Sequence, residues 1–442
     1  MRHTRRFFLS FIILSVVLVA LLGCQGKNRP SKRNPVGITV WHTYVEQMKT
    51  GFEELATEFN ATRGAQEGIT VSVTAVARAA VLNEKLLMAA EGDPGSPELP
   101  DIAVVYPPVA ASLAQKGVLV DFASLFTREE ISRYVGEFVE EGMIGGVFYL
   151  LPVAKSTEVL FLNKTIFDRF AADTPGVSLG QLATFEGIIA AAEQYREWSG
   201  GKTFYCPDEL FNYTMIGMEQ MGESFVQGKR LNVASPSFTR VWDSYYGPAA
   251  RGEVAIFSNF GSQLALSGEV VAVSSTSAGA MYFPTSVTYA DNSKEDVEFV
   301  VLPFPVFAGG EKVAAQRGGG MCVLKSTAAK EYGAGVFLKW LTEPAQNLRF
   351  TAATGYMPVM QEAFDLVMAN GMDAVGEGLK RQAFLAAIAM QKEYRFFIPP
   401  VFDGLDTLQT RYVEELQKAA KRGLSGGESG EDLRSFIAAF SE

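Results

Sequence analysis

Three short runs near the start of the chain set its architecture: Gly37-Ile38-Thr39-Val40-Trp41, Ile69-Thr70-Val71-Ser72-Val73-Thr74-Ala75 and Asp101-Ile102-Ala103-Val104-Val105-Tyr106. The first two are strand patterns, and the third is a continuous apolar run of the kind buried on both faces in a parallel sheet. Between them lie helical patterns. In Tyr44 to Asn60, Met48, Phe52, Leu55, Ala56 and Phe59 fall on one face, and Asn83 to Glu91 is helix-forming. Strand, helix, strand, helix, strand is the order of a doubly wound α/β lobe.

The pattern resumes after Gly145. Val147 to Val153, Val159 to Leu162, Val270 to Ser274 and Val297 to Pro303 read as strands, with helices over Leu182 to Trp198 and Phe211 to Met221. Gly309-Gly310-Glu311-Lys312 reads as a hairpin-type turn into one strand, Val313 to Leu324. From Ala328 the chain is mostly helical: Ala329 to Leu341, Pro344 to Thr354, Gln361 to Asn370, Leu408 to Arg422 and Glu431 to Phe440. Strands that reappear after a long helical insert imply a chain crossing between two lobes more than once.

The 442 residues suit two or three domains. Apolar residues at 48% and charged residues at 20% describe a folded chain. A net charge of −10 excludes the basic footprint that nucleic-acid binding requires. The two histidines, His3 and His42, leave little room for His-based catalysis or metal sites. Cys206 and Cys322 have no CxxC spacing, so a zinc or redox motif is unsupported.

At the N-terminus, Arg2, Arg5 and Arg6 precede sixteen residues, Phe7 to Leu22, that are apolar except for Ser10 and Ser15. The run is short for a bilayer span of about 20 residues and fits a secretory signal. It stops at Leu22-Gly23-Cys24, which resembles a bacterial lipobox. That implies cleavage after residue 23 and acylation of Cys24, including palmitate, as the lipid anchor. Residues 24–36, with Lys27, Arg29, Lys32, Arg33 and two prolines, then read as a flexible tether. The alternative is an uncleaved N-terminal anchor. Either way the chain lies outside the inner membrane, facing the periplasm or exterior.

Several motifs have plain readings. Gly423-Leu424-Ser425-Gly426-Gly427 matches G-x-S-x-G but follows a helix instead of a strand, and no histidine lies downstream to activate the serine. Gly318-Gly319-Gly320 lacks the Lys-Ser/Thr ending of a phosphate loop; it marks either crowded backbone or a bare backbone face open to a ligand. Lys155-Ser156-Thr157-Glu158 and Ser274-Ser275-Thr276-Ser277-Ala278-Gly279 place hydroxyls where apolar strands break. Buried hydroxyls need partners, and a polar ligand in a cleft would supply them.

Taken in order, Trp41-His42, Ser156-Thr157-Glu158-Val159-Leu160-Phe161-Leu162-Asn163-Lys164, Ser275 to Gly279, Arg317 to Gly320 and Thr354-Gly355-Tyr356-Met357-Pro358-Val359 resemble the solute-binding proteins of ABC importers. The resemblance is to the carbohydrate type, and within it to the glycerol-3-phosphate and glycerophosphodiester branch. It implies a two-lobed periplasmic-binding-protein fold of type II, each lobe a sheet flanked by helices, with the ligand cleft between lobes. Lobe one is expected over 37–155 plus 275–320, and lobe two over 156–274 plus 321–442. Ser156, Ser277, Gly319 (through its backbone N–H) and Tyr356 are the implied ligand-binding residues.

The branch's phosphate-reading arginine has only Arg317 and Arg395 as candidates here, and where the branch carries an acidic residue this chain has Tyr106-Pro107-Pro108. Trp41, Tyr44, Tyr106, Phe211, Tyr213 and Tyr356 are candidate aromatic platforms. No cofactor, metal or catalysis is implied. The expected partners are a small-molecule ligand and an ABC permease with its ATPase, with the protein acting as a monomer. The rival class is an exported enzyme acting on glycans or phosphodiesters, which needs paired carboxylates or a metal cluster. An adhesin or structural lipoprotein is the third.

Overall fold

The computed structural model describes residues 29–440 apart from 258, 353, 370–376, 403 and 425–428. The signal segment, Cys24 and Ser425 to Gly427 lie outside the described residues. The described chain divides into two compact units. The first comprises the chain up to Val153 plus Gly319–Asn347, and the second Ala154–Gly318 plus Leu348 onward.

In the first unit, strands β1 (Val36–His42), β2 (Ile69–Ala75), β3 (Ile102–Val105) and β4 (Leu151–Pro152) join a strand that returns late in the chain. In the second unit lie β5 (Glu158–Asn163), β6 (Tyr205–Pro207), β7 (Ala272–Thr276), β8 (Phe299–Pro303) and β9 (Val313–Ala315). The chain then re-enters the first unit with β10 (Gly320–Val323) and later adds β11 (Arg395–Phe397) to the second.

The first sheet has the order β2-β1-β3-β10-β4. β1 is parallel to β2, pairing Val36 with Ile69 through His42 with Ala75, and parallel to β3. β10 runs antiparallel to β3 and β4. Its core is built from helix Glu46–Ala61, whose buried Phe52, Leu55, Ala56 and Phe59 form the stripe read from the sequence. Helix Ala328–Thr342, capped where Thr327 accepts the Lys330 N–H, sets Phe337 against Phe52 and Phe59. Gly333 lets that helix approach β1, since a Cβ there would meet Ile38 at 3.0 Å. Buried Asp101 accepts from the Thr39 N–H at 2.8 Å and hydroxyl at 3.0 Å, and from the Lys330 ammonium at 3.1 Å, tying strand, loop and helix together.

The second sheet has the order β8-β5-β7-β6, with β5 antiparallel to both neighbours and all six of its residues buried. β9 and β11 form a separate parallel pair. An aromatic core fills the space under the C-terminal helices: Trp242 stacks on Tyr246 at 4.5 Å, and Phe436 lies 4.8 Å from Trp242.

Four expectations are corrected. Residues 29–36 are no free tether: Ser31 and Asn34 exchange backbone hydrogen bonds, Pro30 is buried and the Arg29 guanidinium lies 5.2 Å from the Tyr332 ring. The single strand read over Val313 to Leu324 is two strands in different sheets, because Gln316 to Gly319 carry the chain from one unit to the other. Gly309-Gly310 turns the chain without making a hairpin, since β8 and β9 belong to different sheets. Finally, the lobe boundaries differ from those expected. Residues 275–318 belong to the second unit, where β8 pairs along β5, and 321–347 belong to the first. Helix Pro236–Ala250, which the sequence reading missed, carries the usual start signals: Ser235 caps it and Pro236 occupies its first turn.

Candidate functional site

The hydroxyl-rich breaks come together in the second unit. Ser156 and Arg317 form a backbone bridge, the Ser156 N–H donating to the Arg317 carbonyl at 2.9 Å and the Arg317 N–H donating back at 2.8 Å. Lys155 bridges Met357 in the same way, which brings the Thr354-Gly355-Tyr356 turn alongside. The Thr276 hydroxyl donates to the Ser156 hydroxyl at 3.2 Å. The Ser277 N–H donates to the Thr157 carbonyl at 2.8 Å. Gly355, at φ +77, sits where any Cβ would meet the Ser277 carbonyl at 2.6 Å, so only glycine allows the Tyr356 turn to close on Ser277. Three of the four expected ligand residues, Ser156, Ser277 and Tyr356, therefore occupy one neighbourhood. Ser156 and Ser277 are buried and Tyr356 is half-buried. The Ser277 hydroxyl has no hydrogen-bond partner among the described residues.

Gly319, the fourth, belongs to the first unit. A Cβ on it would lie 2.7 Å from the Val105 carbonyl, and one on Gly320 2.7 Å from the Leu151 carbonyl. Close backbone packing is thus sufficient reason for these glycines. Beside Gly319, Tyr106 is exposed at the end of β3 and forms the N-cap of helix Pro107–Gln115.

A charged group adjoins the hydroxyls in the second unit. Arg317 donates to the Glu158 carboxylate at 2.8 Å and lies 3.8 Å from Glu209. Asn212 also donates to Glu158, at 3.3 Å. Burial pushes the Glu158 carboxyl above its ordinary range, against the pull of the Arg317 charge. Asp208 accepts the Gly261 N–H, and burial pushes its carboxyl up as well, against a hydrogen bond from Ser275. Phe260, next to Gly261, is 65% exposed.

Asp208, Glu209 and Phe260 escaped the sequence reading. The available signal was a pair of acids at the end of an apolar strand and an acid, Glu158, opening another. Two platform candidates are corrected: Phe211 and Tyr213 are core, with Tyr213 hydrogen-bonded to Ser244 at 2.8 Å and Phe211 packed on Phe225 and Tyr412. Trp41 and Tyr44 are half-buried in the first unit. Arg395 reaches Glu219 at 3.5 Å, in an exposed pair. Cys206 and Cys322 are buried free thiols, the latter pushed up to about 12 by burial. Among the described residues no group of three or more His, Cys, Asp or Glu could hold a metal ion, and no helix is long and apolar enough to cross a membrane.

Residues 54–374 match the family model of the bacterial extracellular solute-binding protein, well over half of the chain. The chain belongs to that family. None of the curated proteins matches it significantly. Its fold is shared with the cyclic alpha-maltosyl-1,6-maltose binding protein of Arthrobacter globiformis, at 18% identity and TM-score 0.71, covering 92% of this chain and 98% of that one. It is also similar to UgpB from Mycobacterium tuberculosis, solved in complex with glycerophosphocholine, at 17% identity and TM-score 0.70, over 92% and 97% of the two chains. The maltose-bound MalE3 of T. maritima is similar at 14% identity and TM-score 0.65, over 91% and 98%.

Proposed function

We propose that this solute-binding protein captures a small carbohydrate, glycerol-3-phosphate or a glycerophosphodiester and delivers it to the permease of an ABC importer. The observation that carries the reading is the convergence of Ser156, Thr276, Ser277 and the Tyr356 turn from distant parts of the chain, in a member of a solute-binding family. Hydroxyls and backbone N–H groups can serve either sugar hydroxyls or phosphate oxygens. The similar folds that bind a cyclic maltosyl-maltose, glycerophosphocholine and maltose support a ligand of this kind.

In this reading, Cys24 is the lipidated mature N-terminus that anchors the protein to a membrane, facing the periplasm or exterior, and the protein works as a monomer. Gly319 contributes its backbone N–H to the ligand in this reading. Mass spectrometry of small molecules released from the purified protein, followed by titration calorimetry with the molecule found, tests the proposal. Release of no small polar molecule, together with no heat from sugars or glycerophosphates, would sink it.

A further inference from the structure

We propose that Glu158 makes this site refuse phosphate monoesters, so that its ligand is an uncharged, hydroxyl-bearing molecule. This rests on the capture reading above and narrows it. Arg317 is the guanidinium that the backbone bridge fixes beside Ser156. A guanidinium reads phosphate by offering two parallel N–H groups. Here one of its terminal nitrogens already donates to Glu158 at 2.8 Å, and the other faces Glu209.

Glu158 is almost wholly buried at the start of β5, where Asn212 also donates a hydrogen bond to it. Turning Arg317 toward a phosphate would strand that carboxylate in the interior, where an unpaired charge is strongly disfavoured. The surrounding charge points the same way. Three carboxylates, Glu158, Asp208 and Glu209, stand against Arg317 and the buried Lys155 ammonium, which donates to the Gly318 carbonyl at 3.1 Å.

A neutral polyol meets none of these obstacles. Its hydroxyls can donate to carboxylate oxygens while the Arg317–Glu158 pair stays intact. The exposed ring of Phe260, one residue from the N–H that Asp208 accepts, offers an apolar face to the C–H side of a sugar ring.

The test is titration calorimetry of the full mature chain with maltose, glycerol-3-phosphate and inorganic phosphate, on the parent and on Glu158→Gln. The parent should bind glycerol-3-phosphate and inorganic phosphate only weakly, with Kd in about the millimolar range. Glu158→Gln keeps the side-chain shape and removes the charge. It should strengthen glycerol-3-phosphate binding about tenfold or more, and the gain should vanish in Glu158→Gln/Arg317→Gln.

If Glu158→Gln fails to fold by circular dichroism, the exposed Glu209→Gln should shift glycerol-3-phosphate binding in the same direction by about twofold to threefold. Tight glycerol-3-phosphate binding by the parent, no gain in either Glu variant, or a gain that survives loss of Arg317 would each overturn the assignment. Absence of any small polar ligand would instead sink the capture reading, while the response to Glu158→Gln still judges this one.

Discussion

His42 should make stability fall with acid in a window set by its burial. The ring is fully buried at the end of β1, edge-on to Phe52 at 5.2 Å, and its Nδ1 accepts the Tyr44 N–H at 3.1 Å. The proton of the neutral ring therefore sits on Nε2, which has no partner among the described residues. Burial first, and the nearby Lys49 charge second, lower its pKa from 6.5 to about 4. The folded chain thus resists a proton that the unfolded chain accepts below about 6.5. Stability from this group is whole above that pH and is lost as pH falls from about 6.5 toward 4. The full difference is about 3 kcal/mol, at about 1.4 kcal/mol per pKa unit.

Urea unfolding at pH 7.0 and 4.5 should show this loss superimposed on that of the carboxylates. The variant His42→Asn, whose amide oxygen can still accept the Tyr44 N–H, isolates it. The variant is less stable at neutral pH because the ring's packing is lost, but its stability should change less between the two pH values, by about 2–3 kcal/mol. If parent and variant lose the same amount, His42 is not buried neutral in the folded protein.

Other outcomes are expected. Cys24→Ser should leave the protein folded and shift it from the membrane to the soluble fraction, because the acyl chains hang on that thiol; a variant that still fractionates wholly with membranes refutes the anchor. Tyr356→Ala should weaken binding of the released ligand by about 2 kcal/mol, roughly thirtyfold, by calorimetry, with circular dichroism unchanged. Ser277→Ala removes a buried hydroxyl without a partner, so it should stabilise the ligand-free protein by about 1 kcal/mol in thermal unfolding and weaken ligand binding by a similar amount. A destabilised Ser277→Ala with undiminished affinity would remove Ser277 from the site.

Local periodicity was enough to place the opening strands and the Phe52–Phe59 stripe, because one helix face and one sheet edge must each bury their own apolar residues. Order in the chain also sufficed for the family, since the hydroxyl breaks and the Thr-Gly-Tyr turn are contiguous motifs. Which unit a strand joins was not local. Val313–Ala315 and Gly320–Val323 are separated by four residues, yet the first pairs with Arg395–Phe397 and the second with Ile102–Val105. Hydrogen-bond partners far away in the chain make that choice, and no window of neighbours contains them.

The charge of the site depended on the same kind of information. Arg317 stands 159 positions from Glu158, and only the backbone bridge to Ser156 sets the two side chains face to face. Read singly, Arg317 was a candidate to bind phosphate. Paired with a buried carboxylate, it has its charge met inside the protein. A sequence can show that an arginine is present, but the energy of its charge is set by what folding packs against it.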